Sequence, residues 1–198
     1  IFGIPNLDVY LVISILLFFI TIEVVSGLWQ RSERKFSDWI QEFGSYLVLA
    51  QVIKPGIVLM VLMLGQQFLP NLQYVLADYH FVLLLITYLL VDDCMQYWYH
   101  RSAHEYPFLW KLHRPHHQAE EMGFFVSYRN AALYYLLMPN IWWVGFFTFL
   151  GGAKAVALGL VLKQLIIISS HSTVQYDKML YKYRFLQPIA TVWDRIFI

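Results

Sequence analysis

The sequence predicts an all-α fold: a polytopic transmembrane bundle of about four to five membrane helices, with a histidine-rich metal site at one membrane face. Three observations lead there. Hydrophobic residues make up 59% of the 198 positions and charged residues 14%, at a mean hydropathy of +0.53. That balance is too apolar for an ordinary soluble domain. Several apolar runs are long enough to cross a bilayer. Five of the seven histidines fall between residues 100 and 117, in the spacings H-x-x-x-H and H-x-x-H-H.

In chain order, Val9 to Val25 is apolar enough for one span, with Glu23 near its end. Trp29 to Glu42 is polar, and Arg31, Arg34 and Lys35 fall close together in it. A second apolar segment, Tyr46 to Leu69, carries Gln51, Lys54 and Pro55; the lysine can snorkel and the proline can kink the helix. A third span starts near Tyr79 and runs through Val91 into the histidine region. Gln118 to Asn130 is polar. Ala131 to Leu150 is apolar but interrupted by Pro139-Asn140. Gly151-Gly152 reads as a tight turn, and Ala153 to Ser170 returns to end at His171. The tail from Gln175 to Ile198 reads as a surface amphipathic region. Near-zero net charge (+1) gives no reason to expect nucleic acid as a partner. A single cysteine, Cys94, rules out an intrachain disulfide framework and a thiolate zinc site.

Basic residues set an orientation. The Arg31–Lys35 stretch, the histidine region (Arg101, Lys111, Arg114, Arg129) and the tail all carry positive charge, so they belong on the cytoplasmic side. The segment from Pro70 to Asp78 has no Lys or Arg and belongs on the far side with the Gly-Gly turn. His100, His104, His113, His116, His117 and His171 then all emerge on the cytoplasmic face. His80 lies twenty residues before His100, ~30 Å along a helix, and reads as an interfacial side chain.

The spacing of His100 and His104 puts both rings on one helix face. Extended backwards, that face takes in Tyr97 and Asp93. Two imidazoles and a carboxylate on one stripe suit a metal, or the groups that orient its ligands. Pro115 is expected to break a helix through the second cluster. His116 and His117, being adjacent, would diverge on a helix; a turn near Pro115 could bring both to one site or let them reach two metals. His171 closes the last apolar run on the same face, either as a ligand or as a helix-end histidine favoured by the dipole. Lys163, in mid-run, needs a partner in the bundle interior, for which Glu23 is a candidate. Most aromatics fit interface belts and packing; Trp98, Tyr99, Trp110, Trp142 and Trp143 could also wall a lipid-shaped cavity.

The pattern Asp93-x-x-x-Tyr97-Trp98-x-His100-Arg101-x-x-His104-Glu105, followed by Phe108-Leu109-Trp110-x-x-His113-x-x-His116-His117, resembles the fatty acid hydroxylase superfamily. Sterol desaturases, sterol methyl oxidases and alkylglycerol monooxygenase belong to the same group. The resemblance runs from about Asp93 to Arg195. It divides the chain into N-terminal transmembrane helices (1–92) and a hydroxylase-like domain (93–198), incomplete at its C-terminus. His171 in Ser169-Ser170-His171-Ser172 is similar to the histidine that ends the family's last membrane helix, and Trp193-Asp194-Arg195 to the segment ahead of its final histidine box. That box would begin at about Ile198. With Ile1 in place of an initiator Met, the resemblance implies a piece of a longer protein.

The resemblance further implies two iron ions held by histidines, here His100, His104, His113, His116, His117 and His171, with O2 as oxidant and a lipid as substrate. The lipid could be a sterol, a fatty acyl chain or an alkyl ether, and the outcome hydroxylation or desaturation. Asp93 would accept a hydrogen bond from a ligating histidine and fix its tautomer, or else cap or pair with Arg101 or Arg129. Without a flavin or nicotinamide fingerprint, electrons would come from a redox partner: a cytochrome b5-like, ferredoxin-like or reductase protein. The expected location is the endoplasmic reticulum membrane of a eukaryote or the inner membrane of a bacterium. Three rival readings are a metal transporter, a haem-binding bundle and a non-catalytic metal-binding relative. A transporter would place its ligands at mid-bilayer; a haem bundle would show a Soret band.

Overall fold

A computed structural model of the chain describes residues 7–25, 35–121, 123, 125–171 and 181–188. Every regular element among them is helical. They are α1 (Leu7–Val25), α2 (Phe36–Phe68), α3 (Phe81–Glu105), α4 (Pro107–His117), α5 (Ala132–Leu137), α6 (Pro139–Phe147) and α7 (Ala153–His171). Phe36–Phe68, Phe81–Glu105 and the run Pro139–His171 are long and apolar enough to cross a membrane; Ile13–Val25 is a shorter apolar helix. The chain is an integral membrane protein. The Arg31 and Arg34 part of the basic stretch and most of the tail lie outside the described residues, as does the segment around Trp193.

Helix α2 begins at Phe36, inside the polar stretch Trp29 to Glu42. Its middle, Val48–Ile53, is π-helical. Pro55 follows directly. A proline inside a helix lacks an N–H and crowds the carbonyl of residue i−4, here Gln51, and a widened turn relieves both faults. The helix therefore continues through Pro55 to Phe68.

Gly151 reverses the chain with φ 107. A Cβ there would also meet the backbone nitrogen of Ala77 at 3.0 Å, so glycine is required twice over. The two arms of this hairpin run in opposite senses along α3. On α6, Asn140 meets Gln96 and Trp143 meets the carbonyl of Tyr88. On α7, Gly159 packs on the Tyr88 ring and Lys163 reaches Asp92. The loop from Pro70 to Tyr79 bonds back to Phe149 O and Leu150 O, which places it at the turn end. His80, exposed, is the N-cap of α3 at that same end. His100, His104 and His171 close α3 and α7 at the other.

Two sets of charged groups within the bundle are paired. Lys163 donates to Asp92 and, at 3.0 Å, to Gln96 Oε1, which also accepts from Asn140 Nδ2 at 3.1 Å. The partner of Lys163 is therefore Asp92. Near the histidine end, Arg129 donates to Asp38 at 3.2 Å and lies 3.7 Å from the fully buried Glu42. This pins the segment after α4 to the start of α2. Lys35, Arg101, Lys111, Arg114 and Arg129 share the histidine end, because α2 starts there, α3 ends there and α4 follows at once.

Candidate metal centre

The site grows from a corner between two helices. Tyr106 is extended (φ −98, ψ 123) and Pro107 takes the first position of α4. A residue before proline avoids the α region, and proline at a helix start loses no hydrogen bond, so the chain turns sharply here. The last turns of α3 and all of α4 fold against each other.

On α3, Nε2 of His100 and Nε2 of His104 are 3.0 Å apart. On α4, Nε2 of His113 and Nε2 of His117 are 3.1 Å apart. The corner brings these pairs together: His100 and His113 ring centres are 4.7 Å apart, and those of His104 and His117 are 4.8 Å apart. One ligand atom from each of the four rings lies within 4.8 Å of the other three. Two nitrogens bound ~2.1 Å from a single ion sit roughly 3.0–3.4 Å apart. The spacing and the all-imidazole donor set therefore fit a bound transition-metal ion.

The helix does not break at Pro115. It runs to His117 with the proline in its final turn, so the missing N–H costs only the one bond to the Lys111 carbonyl and the helix ends two residues later. Successive residues therefore diverge by roughly 100°. His117 faces the four-ring group, while His116 turns to α7, where its Nε2 is 3.4 Å from Nε2 of His171. The six histidines thus gather in one cluster with two parts: a tetrad of His100, His104, His113 and His117, and a pair of His116 and His171. The parts are joined by ring contacts of 5.2 Å (His113–His116) and 5.1 Å (His116–His117).

Three rings are fixed through Nδ1. Asn130 Oδ1 is 2.8 Å from His113, the Val126 carbonyl 3.0 Å from His116, and the Ile167 carbonyl 2.8 Å from His171. A carbonyl oxygen can only accept, so the backbone contacts put the proton of His116 and His171 on Nδ1 and leave Nε2 bare. Burial pushes the His113 imidazole down to about 4 and His116 to about 3, with neighbouring imidazoles adding to the effect. Burial lowers His117 as well. The α4 rings are therefore neutral at pH 7, the form that binds a metal.

Asp93 is exposed on α3, about 10 Å along the axis from His100, and hydrogen-bonds to no histidine among the described residues. Arg101 pairs with Glu105 at 3.1 Å, and Arg129 with Asp38 and Glu42. The buried carboxylate on α3 is its neighbour Asp92, only 1% exposed. Trp110 stands beside the tetrad, its ring 5.5 Å from both His104 and His117. Tyr99 packs at a tilt against Tyr134, and Tyr134 stacks on His113. Trp98 is exposed, and Trp143 packs on Phe147. A cavity of about 280 Å³ opens between α2 and the start of α5, lined by Ile40, Gly44, Val48 and Ala132 together with Asn130 and Tyr135. Asn130 thus touches both the cavity and a tetrad histidine. Its position before the apolar run of α5 carries no spacing signal that would have singled it out.

Two comparisons with known proteins give matches. The family described as fatty acid hydroxylase matches residues 85–194, just over half of the chain. The chain is also similar to the very-long-chain aldehyde decarbonylase GL1-10 of Oryza sativa subsp. japonica, 33% identical over 106 residues. That stretch is 50% of this chain and 33% of the rice protein, so the chain matches about a third of its relative's length. No solved structure matches.

Proposed function

The chain belongs to the fatty acid hydroxylase family, and from that premise we propose that it is the membrane-embedded part of a non-haem di-iron oxidoreductase that uses O2 to hydroxylate or desaturate a lipid. The observation that carries this reading is the convergence of six histidines from three helices at one end of the bundle. The tetrad would hold one iron, and His116 and His171 would contribute to a second. Bound there, iron supplies an O2-derived oxidant able to take hydrogen from an unactivated C–H bond.

The chain's own residues do the rest. The corner at Tyr106–Pro107 fixes the distance between the two histidine helices. Carbonyl acceptors on Nδ1 preset the bare nitrogen of His116 and His171. Trp110 and Tyr134 flank the tetrad with apolar faces. The cavity that reaches Asn130 is the candidate seat of the lipid chain. Hydroxylation balances as RH + O2 + two electrons + two protons → ROH + H2O, so an external donor must supply the electrons. The histidine end carries Lys35, Arg101, Lys111 and Arg114, and an acidic redox protein of the cytochrome b5-like or ferredoxin-like kind, or a reductase, would dock there. That basic end is assigned to the cytoplasmic face, of the endoplasmic reticulum in a eukaryote or the inner membrane in a bacterium. Residues 93–198 would form the catalytic domain and 1–92 its membrane support.

Similarity to the rice protein favours a second substrate, a very-long-chain aldehyde. Lipid profiling of cells carrying the intact gene, against the same gene with His104→Ala, separates the readings. A new hydroxylated or unsaturated lipid lost in the variant supports the oxygenase. A hydrocarbon one carbon shorter than an added aldehyde supports the second reading. An unchanged lipid profile, with metal crossing vesicles that hold the protein, would overturn both in favour of transport.

A further inference from the structure

We infer that Asn130 is a positioning residue for the metal centre: it holds His113 in the tautomer whose Nε2 is bare, and Tyr135 in turn holds Asn130. The inference rests on the proposed reading of His113 as a ligand.

The argument follows one proton at a time. The Tyr135 hydroxyl donates to the carbonyl of Tyr128 in a short hydrogen bond. A carbonyl only accepts, so the single hydroxyl proton of Tyr135 is committed there. Its oxygen can then only accept from other neighbours. Facing it at 3.4 Å is the side-chain amide nitrogen of Asn130. A flipped amide would set an oxygen against an oxygen that has no proton to offer. The network therefore determines the amide orientation, with Nδ2 toward Tyr135 and Oδ1 toward His113. Oδ1 can only accept, and it lies 2.8 Å from His113 Nδ1. The imidazole proton must sit on Nδ1. A neutral ring has one N–H, so His113 Nε2 keeps its lone pair and points at the tetrad, 3.1 Å from His117 Nε2.

His113 is the one tetrad ring with such an acceptor among the described residues, and it is the buried one, 3% exposed against three exposed partners. It is therefore the ligand set in place before any ion arrives. The other fixed rings, His116 and His171, lean on backbone carbonyls that no substitution removes. The tautomer of His113 hangs on a side chain and can be changed by mutation. Both side chains of this relay also line the cavity beside α2, so it connects that cavity to the proposed ligand His113.

The test uses the full chain in lipid nanodiscs. Fe(II) affinity is measured anaerobically against a chelator, and ¹⁵N-histidine spectra are recorded on the metal-free chain. Asn130→Leu keeps the volume and removes the acceptor; it is expected to weaken Fe(II) binding roughly 10–100-fold and to give His113 a mixed tautomer. Asn130→Asp keeps the acceptor and is expected to restore both readouts. Tyr135→Phe frees the amide to flip and is expected to fall between. Wild-type affinity and a pure Nδ1–H signal in Asn130→Leu would overturn the inference. So would an Asp variant as impaired as the Leu variant, which would mark Asn130 as a structural support only. Wild-type chain that binds no iron would overturn the metal part of the proposal, whereas the tautomer spectra fail only if the relay itself is wrong.

Discussion

The ion pair between Asp92 and Lys163 joins the helix that carries His100 and His104 to the helix that carries His171, and breaking it has a calculable cost. The Asp92 side chain is 1% exposed and that of Lys163 14%. Asp92 Oδ1 has no hydrogen-bond partner among the described residues, so nearly all compensation for the carboxylate comes from the ammonium. Lys163→Met leaves a buried charge with no counter-ion. Removing one partner of such a pair costs about 3–5 kcal/mol, whereas replacing both by apolar groups of similar size is close to neutral. For a chain of this length, 1 kcal/mol corresponds to ~2–4 °C in Tm, so each single variant should lose roughly 6–20 °C. The double variant Asp92→Leu/Lys163→Met should recover most of that. Its coupling energy should exceed about 2 kcal/mol, well above the additivity expected for independent sites. Thermal unfolding in nanodiscs followed by tryptophan fluorescence measures all four corners of the cycle, and iron retention should fall and return in step. Single variants within 1 kcal/mol of wild type, or a double variant equal to the sum of its parts, would refute the reasoning.

Further expectations concern the histidines and the packing beneath them. His104→Ala should abolish the iron held by the tetrad and His116→Ala should spare it, while His80→Ala, at the far end, should change nothing; metal analysis of the purified variants decides. Because His113 is held neutral when folded, its folded pKa of about 4 lies below the ordinary 6.5, and the unfolded chain takes up the proton first as pH falls. Stability of the metal-free chain is thus full above about pH 6.5 and declines toward pH 4, at most ~1.4 kcal/mol per unit from this ring. A His113→Gln variant should show a flatter profile in pH-dependent thermal unfolding. A Cβ at Gly159 would lie 2.4 Å from the buried Tyr88 ring, so Gly159→Ala should cost about 1–3 kcal/mol by overpacking; an unchanged Tm would show that α3 and α7 are not in close contact.

Much of this architecture was legible in the sequence, because both its signals are periodic and local. Apolar runs broken at Gly151 marked the hairpin. The four-residue steps His100–His104 and His113–His117 each put two rings on a single face. What escaped was anything decided by a few degrees of rotation or by distant contacts. The buried line of α3 passes through Tyr88 and Asp92, and nothing in the spacing singles out Asp92. One residue of phase separates the exposed Asp93 from the buried Asp92. Pro115 lacks one N–H, which costs only the bond to the Lys111 carbonyl, and the helix runs on to His117. The division of six rings into a tetrad and a pair follows from that continued helix. Lys163 and Asp92 are 71 residues apart, and Arg129 and Asp38 are 91 apart. No spacing rule pairs them. Asn130 was invisible for the same reason: its role comes from what lies beside it in space.

The most direct test of the account is an anaerobic Fe(II) titration of the nanodisc-embedded chain, read by iron content per chain in wild type and in the double variant His100→Ala/His113→Ala. The account predicts at least one tightly held iron in the wild type and none held at the tetrad in the variant. Equal iron in the two proteins, or none in either, would contradict it.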